Sequence, residues 1–491
     1  MGDQIAGTTF TREQRTRYRE KVRRCLDVFE QMLADDHFDT TAGVTGLEIE
    51  LNLVGADFQP AMANAAVLEK IADPAYQTEL GRYNIELNAP PTRLAGDLLA
   101  SLEEALRASL NRAESLANDA GAHILMIGIL PTLGRRHLDG EWMSENPRYV
   151  ALEDAVLGAR REDIELDITG EESLRMTIDS ISPESACTSV QLHLQVAPQD
   201  FAAHWNAAQL LAGPQLALGA NSPFLFGNRL WAETRTELFM QATDIRSPEL
   251  RNQGVRPTVW FGDRWITSIF DLFEENVRYF PALLPETTDE DPEAVLAAGG
   301  VPRLQELRLH NGTVWRWNRP IYDTVGGVAH CRVENRVLPA GPTVVDTLAN
   351  AAFYYGCLVE LARDDRPVWS RMSFAAAHAN FDAGARLGVE ATFYWPGYGE
   401  VPWDELILRE LLPLARTGLA SLGVADDVAA RYLDIVQARC RLGRNGAWWQ
   451  SETVARLEAA GSSREAALTE MTRRYSENMH TNEPVHTWPL P

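Results

Sequence analysis

Gly46-Leu-Glu-Ile-Glu-Leu-Asn-Leu53 places a carboxylate or amide at every second position and an aliphatic residue between. Three further stretches share the pattern: Tyr83-Asn-Ile-Glu-Leu-Asn88, Val190-Gln-Leu-His-Leu-Gln-Val196 and Cys331-Arg-Val-Glu-Asn-Arg-Val337. Successive side chains of an extended chain leave by opposite faces. Glu48 with Glu50, Asn84 with Glu86 and Asn88, Gln191 with His193, and Arg332 with Glu334 and Arg336 therefore share faces, and the intervening Leu, Ile and Val point the other way. An antiparallel sheet with one solvated face also alternates. These polar faces, however, hold Glu, Asn, Gln, His and Arg and no lysine. Joined in one sheet, the four strands form a site for a highly charged ligand.

The electrostatics of such a face demand a partner. Two carboxylates about 5 Å apart on neighbouring strands repel by roughly 3 kcal/mol at an effective dielectric of about 20. Three such pairs approach the whole stability of a domain, about 5–15 kcal/mol. Oxygen-rich clusters with one histidine and open positions suit Mg²⁺ or Mn²⁺ shared with substrate phosphates.

At 491 residues there is ample material for a core. The net charge of -24 argues against nucleic acid or an anionic membrane as partner, since such surfaces are bound by basic patches. A nucleotide carrying its own metal stays compatible. Lysine is confined to Lys21 and Lys70, so phosphate would be held by arginine forks, backbone N–H groups and metal. Cys25, Cys187, Cys331, Cys357 and Cys440 show no C-x-x-C spacing, which gives neither a zinc site nor a disulfide framework. The start, Met-Gly-Asp-Gln-Ile-Ala, lacks a basic segment followed by an apolar run, and no stretch is long and apolar enough to span a bilayer; a reducing cytoplasm is the expected setting.

Along the chain, Thr11 to about Asp35 reads as an amphipathic helix with Thr11 as N-cap. Asp97 to Ala120 reads as a second helix, His123 to Gly128 as an apolar strand, Asn146 to Arg160 as a helix, and Arg161 to Glu172 as an acidic loop or lid. Phe201 to Leu218 is expected to be helical, Gly219 to Gly227 a turn-rich loop, and Leu284 to Gly300 a surface excursion. From Thr343 onward helix dominates, with no strand signal after about Val401. The fold class is α+β: an antiparallel sheet with helices on its outer face, then a helical C-terminal region. Residues 1–400 are expected to form the catalytic domain, with 401–491 packed on it.

Several short islands occur in a family order: Glu48-Ile-Glu50, Glu79 with Glu86, Pro147-Arg-Tyr149, Gln191-Leu-His193, Ala220-Asn-Ser-Pro223, Glu334-Asn-Arg336, and Arg444-Asn-Gly-Ala447 with Gln450. The sequence resembles the glutamate-cysteine ligases and related carboxylate-amine ligases through these islands, over roughly residues 43–450. The resemblance implies a glutamine-synthetase-like core, a curved antiparallel sheet forming a funnel open at both ends. ATP with Mg²⁺ or Mn²⁺ would enter from one side and the amino acid substrates from the other. A carboxylate, commonly the γ-carboxylate of glutamate, would be phosphorylated and then attacked by an amine, cysteine being the first acceptor to test.

By the same resemblance Glu48, Glu79 and Glu86 match ligands of one metal, His193 and Glu334 those of a second, and Glu50 a third on the nucleotide side. Arg336 matches the group meeting the transferred phosphoryl, and Arg235 faces the phosphate or the substrate carboxylate. Arg319 is expected at the nucleotide; Arg148, Tyr149 and Asn318 are expected at the amino acid substrates. Phosphoryl transfer needs charge neutralisation and positioning more than a protein nucleophile, which metals and arginines supply. No G-x-x-x-x-G-K loop is present.

Some readings stay open. Glu79 and Glu86 are seven apart and would face opposite ways in an unbroken strand; a bulge or turn at Gly81 would restore a shared face. Arg316, Asn318 and Arg319 either line a channel or form a Trp/Arg-stacked surface. Arg148 and Tyr149 either meet substrate or cap and pack a helix. Asn221 sets the turn before Pro223. The alternatives to the leading function are a ligase for a different acid or amine, a silent relative that only binds glutamate or nucleotide, and a metal-dependent hydrolase.

Overall fold

Seven strands join into one antiparallel sheet: β1 (Val44–Val54), β2 (Tyr76–Thr78), β3 (Asn84–Arg93), β4 (His123–Leu125), β5 (Val190–Gln195), β6 (Asn318–Val325) and β7 (Val328–Asn335). Their order is β6-β7-β5-β1-β3-β2, with β4 also paired to β1. The computed structural model describes residue 7 and residues 9–491; the reading of Met1 to Ala6 lies outside them.

Strand β1 is the spine. It pairs with β3 on one edge, with a bulge between Thr45 and Leu47. On the other edge it pairs with β5 over Thr45 to Ile49 and with β4 over Asn52 to Val54. Leu47, Ile49, Leu51 and Leu53 are all at most 4% exposed, so the apolar half of the alternation is core, worth about 1.5–3 kcal/mol per side chain. The helices Phe201–Gly219 and Val344–Ala362 cover this outer side. From the second, the Tyr355 hydroxyl donates to the carbonyls of His193 at 3.0 Å and Gly46 at 3.3 Å. The result is the antiparallel sheet with helices outside that the alternation implies, curved as the resemblance implies.

The first helix, Arg12–Ala34, starts in a capping box: Gln14 N–H donates to Thr11 Oγ1 at 3.2 Å and Thr11 N–H to Gln14 Oε1 at 2.7 Å. It packs beside the helix Gln305–Asn311, with Lys21 Nζ 3.1 Å from the buried Glu306.

Four segments carry regular structure that the sequence reading did not specify. The acidic stretch after Arg161 is a hairpin of Ile164–Thr169 with Ser173–Ile178, in which Ile164, Leu166 and Ile168 are buried. Its Glu and Asp occupy the solvent face of a strand, so acidity concealed a period of two. Within the 219–227 loop, Phe224–Leu225 pairs with Asn228–Arg229. The 284–300 excursion contains the helix Pro292–Ala297, capped by Asp291. Inside the helical C-terminal half, Thr392–Trp395 pairs with Gly399–Pro402.

The C-terminal helices are sealed onto this body. Leu412–Leu422 crosses Val344–Ala362 so closely that a Cβ on Gly418 would lie 1.9 Å from the Gly356 carbonyl. Asp426–Leu442 sends Arg439 to Asp346 at 2.7 Å, a pair with both side chains at most 1% exposed. Among the described residues no helix is long and apolar enough to cross a membrane, and all five cysteines are free thiols.

Candidate active site

Register decides which carboxylates meet. Glu50 lies directly opposite Glu86, Glu48 lies between Asn88 and Gln191, and His193 lies between Gly46 and Glu334, which in turn faces Arg319. Among the described residues two groups result, each with ligand atoms within 4.8 Å of one another: Glu50, Glu79 and Glu86, and Glu48, His193 and Glu334. This grouping differs from the one the resemblance implies, in which Glu48 joins Glu79 and Glu86 while Glu50 stands apart. The reason is pleating: side chains two apart on one strand share a face but serve different cross-strand rows.

Glu79 reaches its group from outside the strand. It follows β2, and the chain then turns, with Asn84 N–H donating to the Gly81 carbonyl at 2.9 Å. A Cβ on Gly81 would lie 2.4 Å from Asn84 Oδ1, so the turn closes only with glycine there. The three carboxyls then crowd together, their ligand atoms within 4.8 Å of one another. Burial, followed by the charges of Glu86 and Glu50, pushes the Glu79 carboxyl well above its ordinary value. Burial likewise raises Glu50, opposed by Arg336 and reinforced by Glu86. Glu50 is fixed by Ser189 N–H at 2.6 Å and Gln191 Nε2 at 3.0 Å. Three oxygen donors held together in this way could hold a hard divalent ion.

The second group is balanced by arginine. Arg319 donates to both oxygens of Glu334, and Arg336 donates to its Oε1 at 3.0 Å and to Gln191 Oε1 at 2.6 Å. Burial opposes ionisation of Glu334, but Arg319, Arg336 and His193 outweigh it and hold the carboxyl well below its ordinary value. Glu48 is similarly lowered: burial opposes, while its hydrogen bond to His193 prevails. Arg332 Nε donates to His193 Nδ1 at 3.1 Å, which leaves Nε2 facing Glu48 Oε1 at 3.1 Å. Two carboxylates and an imidazole fit Mg²⁺ or Mn²⁺.

Each group opens into its own compartment, and the two compartments meet at Arg148, Gly312 and Arg319. The larger, about 1160 Å³ with its mouth included, is walled by Glu50, Glu79, Glu86, Tyr149, Arg235, Trp317 and Arg336. The other, about 630 Å³, is walled by Glu48, His193, Arg308, Tyr322, Arg332 and Glu334.

Arg235 occupies the first turn of the helix Thr234–Ala242, its guanidinium 5.6 Å from the Trp317 ring centre and its Nε 2.9 Å from Glu233. Arg148 and Tyr149 start the helix Pro147–Arg160, with Arg148 N–H on the Asn146 cap at 3.0 Å, and both also line the cavity. Asn318 does not join them. It is 0% exposed, its amide closed in a buried network with Gln209 at 2.7 Å and Asn335 at 2.7 Å. Arg316, two residues earlier, turns to Glu275 at 2.7 Å while still edging the cavity.

Sequence reasoning missed Glu184, a cavity-wall carboxyl that burial and the charge of Glu50 push up to about 8. It sits on the short 3₁₀ turn Ser182–Ala186, where no periodicity marks it. Glu233 was also missed, although its place two residues before Arg235 was a legible signal.

A family model, glutamate-cysteine ligase family 2, matches residues 44–472. The chain belongs to that family. It is therefore an amide-bond-forming carboxylate-amine ligase. Among solved structures, the glutamate-cysteine ligase of Francisella tularensis in complex with AMP aligns over 90% of each chain at 13% identity, with a TM-score of 0.53. A bifunctional glutathione synthetase from Pasteurella multocida aligns at 13% identity and a TM-score of 0.51 over 93% of this chain but 55% of its own length. At such identities the likeness is one of fold. No curated protein sequence matches the chain.

Proposed function

We propose that this ligase uses ATP to phosphorylate the γ-carboxylate of glutamate and couples it to an amine, with cysteine as the first acceptor to examine. The observation that carries the reading is the pair of cation-ready clusters on one sheet face, bridged by Arg336, which bonds Glu334 and faces Glu50. Such an arrangement brings two negatively charged reactants together on either side of one arginine.

The compartment of Glu48, His193 and Glu334, rimmed by Arg308, Arg319 and Arg332, suits the polyphosphate of a nucleotide. The compartment with Arg148, Tyr149, Arg235 and Trp317 suits the amino acids. Bound Mg²⁺ or Mn²⁺ would neutralise phosphate and carboxylate charge and polarise the acyl phosphate. His193 would offer Nε2 to a cation with its proton on Nδ1, in which case Arg332 would release the ring and keep Asp323, which it touches at 3.3 Å. The γ-carboxylate oxygen attacks the terminal phosphorus and ADP leaves. The amine nitrogen then attacks the acyl carbon, the C–O bond to phosphate breaks, and phosphate departs with the proton that the nitrogen loses. Arg336 holds the phosphoryl oxygens during transfer, and Arg235 orients the carboxylate.

Purified protein given ATP, Mg²⁺, glutamate and a panel of amines should release ADP and phosphate with its true acceptor. Nucleotide binding without turnover for every amine would overturn the assignment of glutamate.

A further inference from the structure

The C-terminal helices lead by unbroken hydrogen bonds to the arginine of the amino-acid compartment. Arg235 Nε donates to Glu233 Oε1 at 2.9 Å, and the other oxygen of that carboxylate accepts from Asn221 N–H at 2.9 Å. Glu233 is 0% exposed, so its charge is tolerated only because both oxygens are filled. Asn221 is pinned in turn. Its Nδ2 donates to the Ala340 carbonyl and to the Tyr475 hydroxyl, each at 2.8 Å, while Tyr475 donates onward to Met126 at 2.7 Å. Gln450 Nε2 donates to both oxygens of Asn221, at 2.8 Å to Oδ1 and 3.0 Å to the backbone carbonyl.

Gln450 lies on the helix Gly446–Ala459 and Tyr475 on Arg464–Thr481. The first of these helices approaches so closely that a Cβ on Gly446 would lie 2.1 Å from Asn221 Oδ1, and Ala447 N–H donates to the Ala220 carbonyl at 2.8 Å. The two islands Ala220-Asn-Ser-Pro223 and Arg444-Asn-Gly-Ala447 with Gln450 are thus in contact, and neither touches the cavity.

We propose that Gln450 and Tyr475 are positioning residues that act through Asn221 and Glu233 to fix the guanidinium of Arg235, making the C-terminal helices a working part of the active site. The proposal rests on the reading of Arg235 as a substrate contact. Every hydrogen-bonding group of Asn221 is occupied, so its N–H can aim at Glu233 only while Gln450 and Tyr475 hold the rest of the residue. A rigid Glu233 in turn leaves Arg235 one orientation, over Trp317 and toward the Val337 carbonyl.

The test is a double-mutant cycle on the full-length protein. Gln450→Met, which keeps the side-chain volume but loses the donor, should lower kcat/KM for glutamate about tenfold, the effect of one lost net hydrogen bond. Added to Arg235→Ala it should cost nothing more. Multiplicative losses in the double variant would overturn the proposal, since a purely structural role for Gln450 acts whether or not Arg235 is present. If Gln450→Met fails to fold, Tyr475→Phe removes a single hydroxyl and is read through the same cycle. A crystal structure of the folded variant is an activity-free arm: the Arg235–Glu233 contact should be lost or turned, and an unmoved Arg235 would overturn the relay. Should the wild-type protein turn over no amine, the substrate role of Arg235 falls while the crystallographic arm still decides the relay.

Discussion

Replacing Glu79 by glutamine should make the metal-free protein more stable while diminishing its response to divalent cations. The carboxyl of Glu79 is held within 4.8 Å of Glu50 and Glu86, and burial with those two charges raises it well above its ordinary value of 4.5. In the unfolded chain it ionises near 4.5; at pH 7 the folded protein must therefore hold a proton there or bear the repulsion. Keeping the group fully neutral at pH 7 costs up to about 3.4 kcal/mol, being 1.36 kcal/mol for each of roughly 2.5 pH units. The side chain retains some solvent contact, so about 1–3 kcal/mol is expected.

Glutamine has nearly the same shape and no charge to lose. In a chain of this size, with about 2.1 cal/mol/K of unfolding entropy per residue, the gain corresponds to roughly 1–3 °C in Tm. The sign with pH follows from proton counting. Between the unfolded and folded values the native state binds more protons, so wild-type stability falls as pH rises. The advantage of Glu79→Gln should therefore be absent below about pH 4.5 and grow above it. Scanning calorimetry in EDTA, then with Mg²⁺ or Mn²⁺, measures both effects. A lowered Tm in EDTA, or an undiminished rise with metal, would refute the reasoning.

The second cluster should answer oppositely. Glu334→Gln strands Arg319 and Arg336 around a neutral amide and should lower Tm in EDTA, by an amount corresponding to about 3 kcal/mol; equal signs for Glu79→Gln and Glu334→Gln in the same calorimeter would contradict the contrast drawn between the clusters. Glu86→Gln or Arg336→Ala should abolish ADP release while circular dichroism stays native, and full activity in either would remove that residue from the chemistry. Manganese titration followed by electron paramagnetic resonance should count two sites, reduced to one in Glu48→Gln, with an unchanged count the opposing result. Asn318→Ala, by contrast, should lower Tm by breaking the buried amide network and leave KM for glutamate within about twofold, because Asn318 lies outside the cavity walls.

How much of this was legible beforehand depended on range. The alternation around Glu48-Ile-Glu50, Gln191-Leu-His193 and Glu334-Asn-Arg336 is a local signal, since a period of two is imposed by the extended backbone itself. It disclosed the sheet, its wet face and the residues on it. The hairpin Ile164–Thr169 with Ser173–Ile178 carried the same signal, hidden because its polar half is acidic and reads as loop by composition. Glu184 carried none, standing on an irregular turn.

The sequence by itself determined that this protein has a strand face crowded with carboxylates, one histidine and arginines, because side-chain direction along a strand depends only on neighbours in the chain. Which of those carboxylates share a cation could not be read that way. Register between strands brought Glu50 to Glu86 and Glu48 to His193, sorting two residues of one strand into different clusters. Tertiary packing alone also closed Asn318 into the interior and joined Gln450 to Asn221 across 229 positions of chain. Those contacts are set by the burial of distant apolar surfaces, for which no local pattern stands proxy.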